Sequence, residues 1–244
     1  MIQTTEDRFL DGRVTVRQPA AGFRAGLDAV MVAAAVPAAS GDTVLELGSG
    51  SGTASLCLAG RIGDCTITGV ELDHDLVELA RENAAANSMA GRVSFLKADA
   101  LGGELRGEFD HVFANPPFHQ ASGQISPDAG RERAKRDEKG LAAWATAGLK
   151  RVRSHGSLTM ILRADRMREV LAAVPDAGVI VFPLWPRSGE PAKRIIVQVR
   201  KGSSAPLETH PGLVLHDATG KYTAQADDVL RGRTTLVPLS SRAR

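Results

Sequence analysis

The chain has 244 residues, 43% of them hydrophobic, 24% charged and only 4% aromatic, with a formal net charge of +2. That profile excludes a disordered chain and a disulfide-stapled peptide, and it predicts one α/β domain with an aliphatic core. The overall charge does not announce a nucleic-acid partner, although local basic clusters can still serve one.

Residues 1–25 read as an extended or hairpin-like prelude that is polar where a signal peptide would be basic and then apolar. LDAVMVAAAV (27–36) reads as a short helix with Asp28 as its N-cap. The longest apolar stretch, AVMVAAAVPAA, is too short to span a bilayer and is broken by proline. Cys57 and Cys65 have no His or Cys cluster beside them, so they are expected to be small core residues with reduced thiols, with no metal bound and a cytoplasmic setting.

From residue 43 a repeating order sets in. TVLEL (43–47) is β-prone, a glycine turn follows, and SGTASLCLAGRI (51–62) has helical spacing; TITGVEL (66–72) then leads to a helix over 75–87. VSFLKA (93–98) and FDHVFA (109–114) are further strands. A helix over 138–152, the strand SLTMIL (157–162), a helix from Arg166 to Ala173, and the β-prone runs VIVF (179–182) and RIIVQV (194–199) complete the series. Strands alternating with helices imply right-handed crossovers and a mostly parallel, doubly wound sheet with helices on both faces. We expect residues 1–42 to form an N-terminal extension and short helix, 43–200 the sheet core and 201–244 a C-terminal segment, frayed and basic after Gly232.

After the first sheet strand comes Glu46-Leu47-Gly48-Ser49-Gly50-Ser51-Gly52, leading into a helix. Such glycines let a chain turn sharply and let a ligand approach the backbone at a helix N-terminus. The dinucleotide fingerprint would place its third glycine where Thr53 stands, which weakens a nicotinamide reading. Glu71 closes the next strand, where α/β cofactor proteins grip ribose hydroxyls, and Asp99 lies in the following loop on the same carboxyl edge. Taken singly, Glu46 and Glu71 are equally solvated strand-end charges, and Asp99 a turn residue or cap. The ordered set points to a cofactor site.

VLELGSGSG, VELD, KADA and NPPF over residues 43–120 resemble the ordered motifs of class I S-adenosylmethionine-dependent methyltransferases. The resemblance implies a Rossmann-like seven-stranded sheet with one antiparallel strand. It also implies a glycine loop against the methionine end of S-adenosylmethionine, Glu71 on the ribose hydroxyls and Asp99 at the adenine. The expected cofactor set is Glu46, Gly48, Gly50, Gly52, Glu71, Leu72, Asp99, Ala100 and Asn115.

FANPPFHQ (113–120) is stiff, because each proline fixes its own φ and biases the residue before it to extended geometry. A delocalised amine is a poor nucleophile until its nitrogen becomes tetrahedral, and acceptors aimed at its two hydrogens favour that change. The Asn115 side-chain carbonyl and the Pro116 main-chain carbonyl are the candidate acceptors, while Phe118 offers a face for stacking, worth about 1–3 kcal/mol per base. We therefore expect Asn115, Pro116 and Phe118 to be catalytic, and Pro117, Phe118 and His119 to contact substrate. In the resembling enzymes, NPP followed by an aromatic marks methylation of planar nitrogens in adenine, guanine or glutamine amide.

GFRAGLDAVMVAAAV (22–36), NPPF with a long polar loop behind it (119–137), and GKYTAQADDVLRG (220–232) resemble the bacterial tRNA(valine) adenine-N6 methyltransferases. That family has Thr-Asp where this chain has Leu27-Asp28. The resemblance implies an adenine in a tRNA anticodon loop as substrate, where a base can leave its stack at modest cost. Basic residues from Arg131 to Arg153, with Lys193, Arg194, Arg231, Arg233, Arg242 and Arg244, are candidate phosphate contacts or simply solvated charges. Ribosomal RNA guanine-N2 methylation, protein glutamine methylation and a non-catalytic cofactor- or RNA-binding module remain alternatives.

Overall fold

The computed structural model describes residues 3–22, 24–103, 105–117, 140–176 and 178–236. Strands β1 (Thr4–Phe9) and β2 (Val14–Pro19) form an antiparallel hairpin pairing Thr4 with Pro19 and Phe9 with Val14. The second strand alternates strictly, burying Val14, Val16 and Gln18, so one side of the hairpin faces the core.

The main sheet contains β3 (Thr43–Leu47), β4 (Thr66–Glu71), β5 (Val93–Lys97), β6 (Phe109–Ala114), β7 (Val152–Arg163), β8 (Val179–Trp185) and β9 (Arg194–Arg200). Their spatial order is β8-β9-β7-β6-β3-β4-β5, and β9 alone among these seven runs antiparallel to its neighbours. The seven-stranded expectation holds for this set. Two short strands, β10 (Glu208–Thr209) and β11 (Leu213–Val214), pair in parallel with the outer edge of β8 and extend the sheet to nine. The chain proceeds outward from β3 through β4 and β5, then returns to β6 on the opposite side. That reversal opens a crevice at the carboxyl ends of β3 and β6, the position where open α/β sheets bind ligands.

Helices α1 (Leu27–Ala35), α2 (Thr53–Arg61), α3 (His74–Ala86), α4 (Gly140–Arg151), α5 (Met167–Leu171) and α6 (Ala224–Leu230) cover the sheet. Val44 and Ile67 point into a cluster with α1, α2, α3, α6 and the hairpin, while Leu45, Leu47 and Val70 point into a second cluster with α4 and α5. Both faces of each central strand are thus buried, which is why these strands read as continuous apolar runs.

Three expectations change. Asp28 does not cap α1, whose N-cap is Gly26 without a side-chain bond; as the second helical residue it sits too deep, and instead it pairs with Arg194 at 2.9 Å. Helix α6 is an added element, capped by the Thr223 hydroxyl on the Ala226 N–H. Its last carbonyls accept from guanidinium groups, Arg61 on Val229 and Arg13 on Arg231 and Gly232, as favoured at a helix C-terminus. The segment after Gly232 is also docked as far as Leu236, which is buried and donates its N–H to Ala34 at 2.8 Å. Cys57 and Cys65 are buried and unpaired with each other, and burial pushes the Cys57 thiol up to about 12. Among the described residues no helix is long and apolar enough to cross a membrane.

Candidate active site

The crevice is floored by the loop between β3 and α2. Gly48 and Ser49 both donate their N–H groups to the Val70 carbonyl at 2.9 Å, which pins the loop to the end of β4. Gly48, Gly50 and Gly52 all have positive φ. At Gly48 a Cβ would come within 2.8 Å of the Trp144 ring, and at Gly52 within 2.6 Å of the Phe95 ring, so neither position admits a side chain. Above Gly50 there is open space, so a ligand can approach the main chain there.

Glu46, at the end of β3 before this loop, is not among the residues that line the narrow cleft beside Gly48. Its carboxylate is 2% exposed and accepts from the Ser55 N–H at 3.0 Å and from the Ser55 hydroxyl, securing the first turn of α2. Burial, the dominant cause, lifts its pKa from 4.5 to about 8. The folded state therefore holds a proton that the unfolded chain releases. The resulting stabilisation is complete below pH 4.5 and disappears as pH rises through 8, a loss on the order of 5 kcal/mol at most. Glu46→Gln, an isostere of the protonated acid, is expected to flatten the fall in urea midpoint between pH 5 and 8.5. Parallel pH profiles for variant and wild type would contradict this assignment.

Glu71 closes β4 and is 6% exposed. Its Oε2 accepts from the Gly50 N–H at 3.1 Å, and Oε1 accepts from the N–H groups of Leu72 and Asp73 at 2.8 and 3.1 Å. Three backbone donors thus orient this carboxylate at the lip of the glycine loop. Asp99 accepts from the Leu101 N–H at 2.9 Å, so it does form the turn that the simpler reading foresaw. It also lines a narrow cleft with Gly48, Val70, Glu71, Leu72, Ala100 and Trp144. Trp144 is the residue that sequence reasoning missed: it arrives from α4, is 3% exposed and sits against Gly48.

Asn115 stands one residue beyond Ala114, which pairs with Leu47 on one side and Met160 on the other. It is therefore next to the glycine loop on the same edge. Its Oδ1 is buried and has no hydrogen-bond partner among the described residues, a costly state for an amide acceptor. Pro116 is buried and Pro117 half-buried. Phe118, His119 and the 119–137 loop lie outside the described residues, as does the tail beyond Leu236.

Among the described residues the basic candidates do not assemble into one patch. Arg153 binds Asp110 at 2.6 Å and Thr43 at the opposite end of the sheet, while Arg231 and Arg233 engage Asp11, Asp227 and Asp228. Arg194 and exposed Lys193 do lie at the carboxyl edge, where β9 begins. Among the described residues no group of three His, Cys, Asp or Glu side chains could hold a metal ion.

Residues 26–142 match the family model of the methyltransferase small domain. A tRNA1(Val) (adenine(37)-N6)-methyltransferase from Aeromonas hydrophila is 29% identical over 209 residues, covering 82% of this chain and 86% of that protein. The protein of the same name from Porphyromonas gingivalis is 28% identical over 235 residues, covering 90% and 91%. Among solved structures, one described as a predicted O-methyltransferase from Agrobacterium tumefaciens superposes with a TM-score of 0.72 at 26% identity, covering 87% of this chain and all of that one.

Proposed function

We propose that this chain, whose residues 26–142 match the methyltransferase small domain, catalyses S-adenosylmethionine-dependent methylation of an exocyclic nucleobase amine, N6 of adenine in a tRNA. The observation that carries the reading is the buried, unpartnered Oδ1 of Asn115 beside the glycine loop. The names of the two relatives, matched over most of the chain, support tRNA as the substrate class.

The residues fit the cofactor. Glu71 is an oriented acceptor for two ribose hydroxyls, which would share it with the backbone N–H groups already bound. Leu72 and Ala100 bound the cleft for a flat base, with Asp99 at its rim, and the open face above Gly50 suits the amino-acid end. Bound there, S-adenosylmethionine supplies an electrophilic methyl group. Glu46 acts by fixing the start of α2, and Trp144 fills the space under Gly48.

On the substrate side, Asn115 Oδ1 and the Pro116 carbonyl accept the two amine hydrogens, so the nitrogen lone pair is directed at the methyl. The two prolines hold these acceptors without reorganisation, which is where a displacement reaction gains most. Neither acceptor is basic. That suits an amine, which sheds its proton to solvent after transfer, better than a hydroxyl, which needs a base beforehand. Phe118 and His119 keep their proposed roles as stacking face and substrate contact.

A single domain over residues 1–244 is part of this reading; its support is that Leu10 and Val14 of the hairpin share one apolar cluster with Val44, Ile67, Ala226 and Val229. The test is to incubate the protein with labelled S-adenosylmethionine and unmodified total tRNA and identify the product nucleoside by mass spectrometry. N6-methyladenosine is expected. N2-methylguanosine, transfer to a protein glutamine, or no transfer would each overturn the substrate assignment.

A further inference from the structure

Strand β2 docks on α3 in an uncommon way. The Asn87 amide accepts from the Thr15 N–H at 2.9 Å and donates to the Thr15 carbonyl at 2.6 Å; the Asn83 amide accepts from the Arg17 N–H at 2.9 Å and donates to the Arg17 carbonyl at 2.8 Å. Two side-chain amides thus stand in for the edge of a neighbouring strand. The spacing permits it, since four helical residues rise about 6 Å and two strand residues about 6.6 Å.

Asn83 makes one contact that Asn87 does not. Its amide also donates to the Ser51 carbonyl at 3.0 Å, between Gly50 and Gly52. Asn83 is 1% exposed, so both amide hydrogens are committed in a dry setting. Ser51 cannot turn its carbonyl elsewhere without leaving a buried amide donor unpaired. The hairpin, α3 and the glycine loop therefore meet at one side chain.

We propose that Asn83 is a positioning residue for the cofactor, holding the glycine loop in its binding shape and linking cofactor binding to the docking of the β1–β2 hairpin. This rests on the reading of the loop as the S-adenosylmethionine site. Asn87 supplies the control, because it docks the same hairpin on the same helix without touching the loop.

The experiment measures the dissociation constant for S-adenosylhomocysteine by calorimetry, alongside thermal unfolding, for wild type, N83A and N87A. Both variants lose stability. Only N83A is expected to weaken binding, by about tenfold, as befits one buried hydrogen bond; N87A stays within about twofold of wild type, the spread expected of a site it does not touch. An unchanged constant in N83A, or equal weakening in both, overturns the proposal. N83D keeps the acceptor for the Arg17 N–H and loses both donations, so it carries the same expectation if N83A does not fold. Amide hydrogen exchange on the wild type needs no variant: the ligand is expected to slow exchange in residues 14–19 as well as in the glycine loop, and exchange in 14–19 that ignores the ligand would count against the link. A wild type that does not bind S-adenosylhomocysteine would instead overturn the cofactor reading itself.

Discussion

Asn115→Ala is expected to lower turnover by about 10²–10³-fold, the scale seen when one preorganised polar group is removed from a reacting centre, while S-adenosylhomocysteine binds within a few-fold of wild type. The split follows from where the side chain sits. Asn115 leaves β6 directly after the Leu47–Ala114 pair, so its main chain borders the glycine loop, but the loop's own anchors are Val70, Glu71 and Asn83. Removing a buried acceptor that has no partner among the described residues costs the resting fold little. On the proposed reading, the amine hydrogens of the substrate supply the partner of this oxygen. Asn115→Asp sharpens the test: it keeps an acceptor but adds a negative charge, and a partial rescue relative to alanine would confirm that acceptance, not amide shape, matters. Equal turnover in wild type and Asn115→Ala would remove Asn115 from the mechanism.

The alternation of strands and helices was legible because each segment announces its own period. TVLEL and FDHVFA have their observed bounds in sequence, and the helix expected over 75–87 begins at His74, behind the Asp73 cap. Other limits depend on tertiary partners. Strand β8 continues through Pro183, which a sequence reading treats as a stop; the proline falls between β10, opposite Ile180 and Val181, and β11, opposite Leu184 and Trp185, where no edge donor is required. Strand β7 begins at Val152, five residues before the apolar run, because a register shift beside Phe109 accommodates His155 and Gly156. Helix α6 is short and rich in small or acidic residues, and it is held by Arg13 and Arg61 from distant parts of the chain.

The site divides in the same manner. Gly48, Gly50, Gly52 and Glu71 are legible because each is needed by local geometry at a strand end. Glu46 belongs to a strand buried on both faces, where no polar alternation tells which side a residue takes; it turns toward Ser55. Trp144 and Asn83 come from helices far along the chain, and only packing brings them to the loop. Nothing in the sequence distinguishes Asn83 from Asn87.

Glu71→Ala is expected to weaken S-adenosylhomocysteine binding by about a hundredfold, the sum of two hydrogen bonds to a charged acceptor at roughly 1.5 kcal/mol each. A loss of affinity alone would be ambiguous, because the same carboxylate receives the N–H groups of Gly50, Leu72 and Asp73 and its removal also loosens the loop. The two contributions separate in a cycle that changes protein and ligand in turn. Replacing S-adenosylhomocysteine by its 2′-deoxy analogue deletes one hydroxyl without touching the loop. Wild type is expected to bind the analogue about tenfold more weakly, whereas Glu71→Ala, having no carboxylate to offer, should bind both ligands alike. If the analogue loses as much with the variant as with wild type, Glu71 holds the loop and not the ribose. The cycle also bears on the family of variants around it: Asn83→Ala weakens both ligands equally, since it shapes the loop and meets no hydroxyl, so a ribose contact and a loop contact leave different signatures in one pair of titrations.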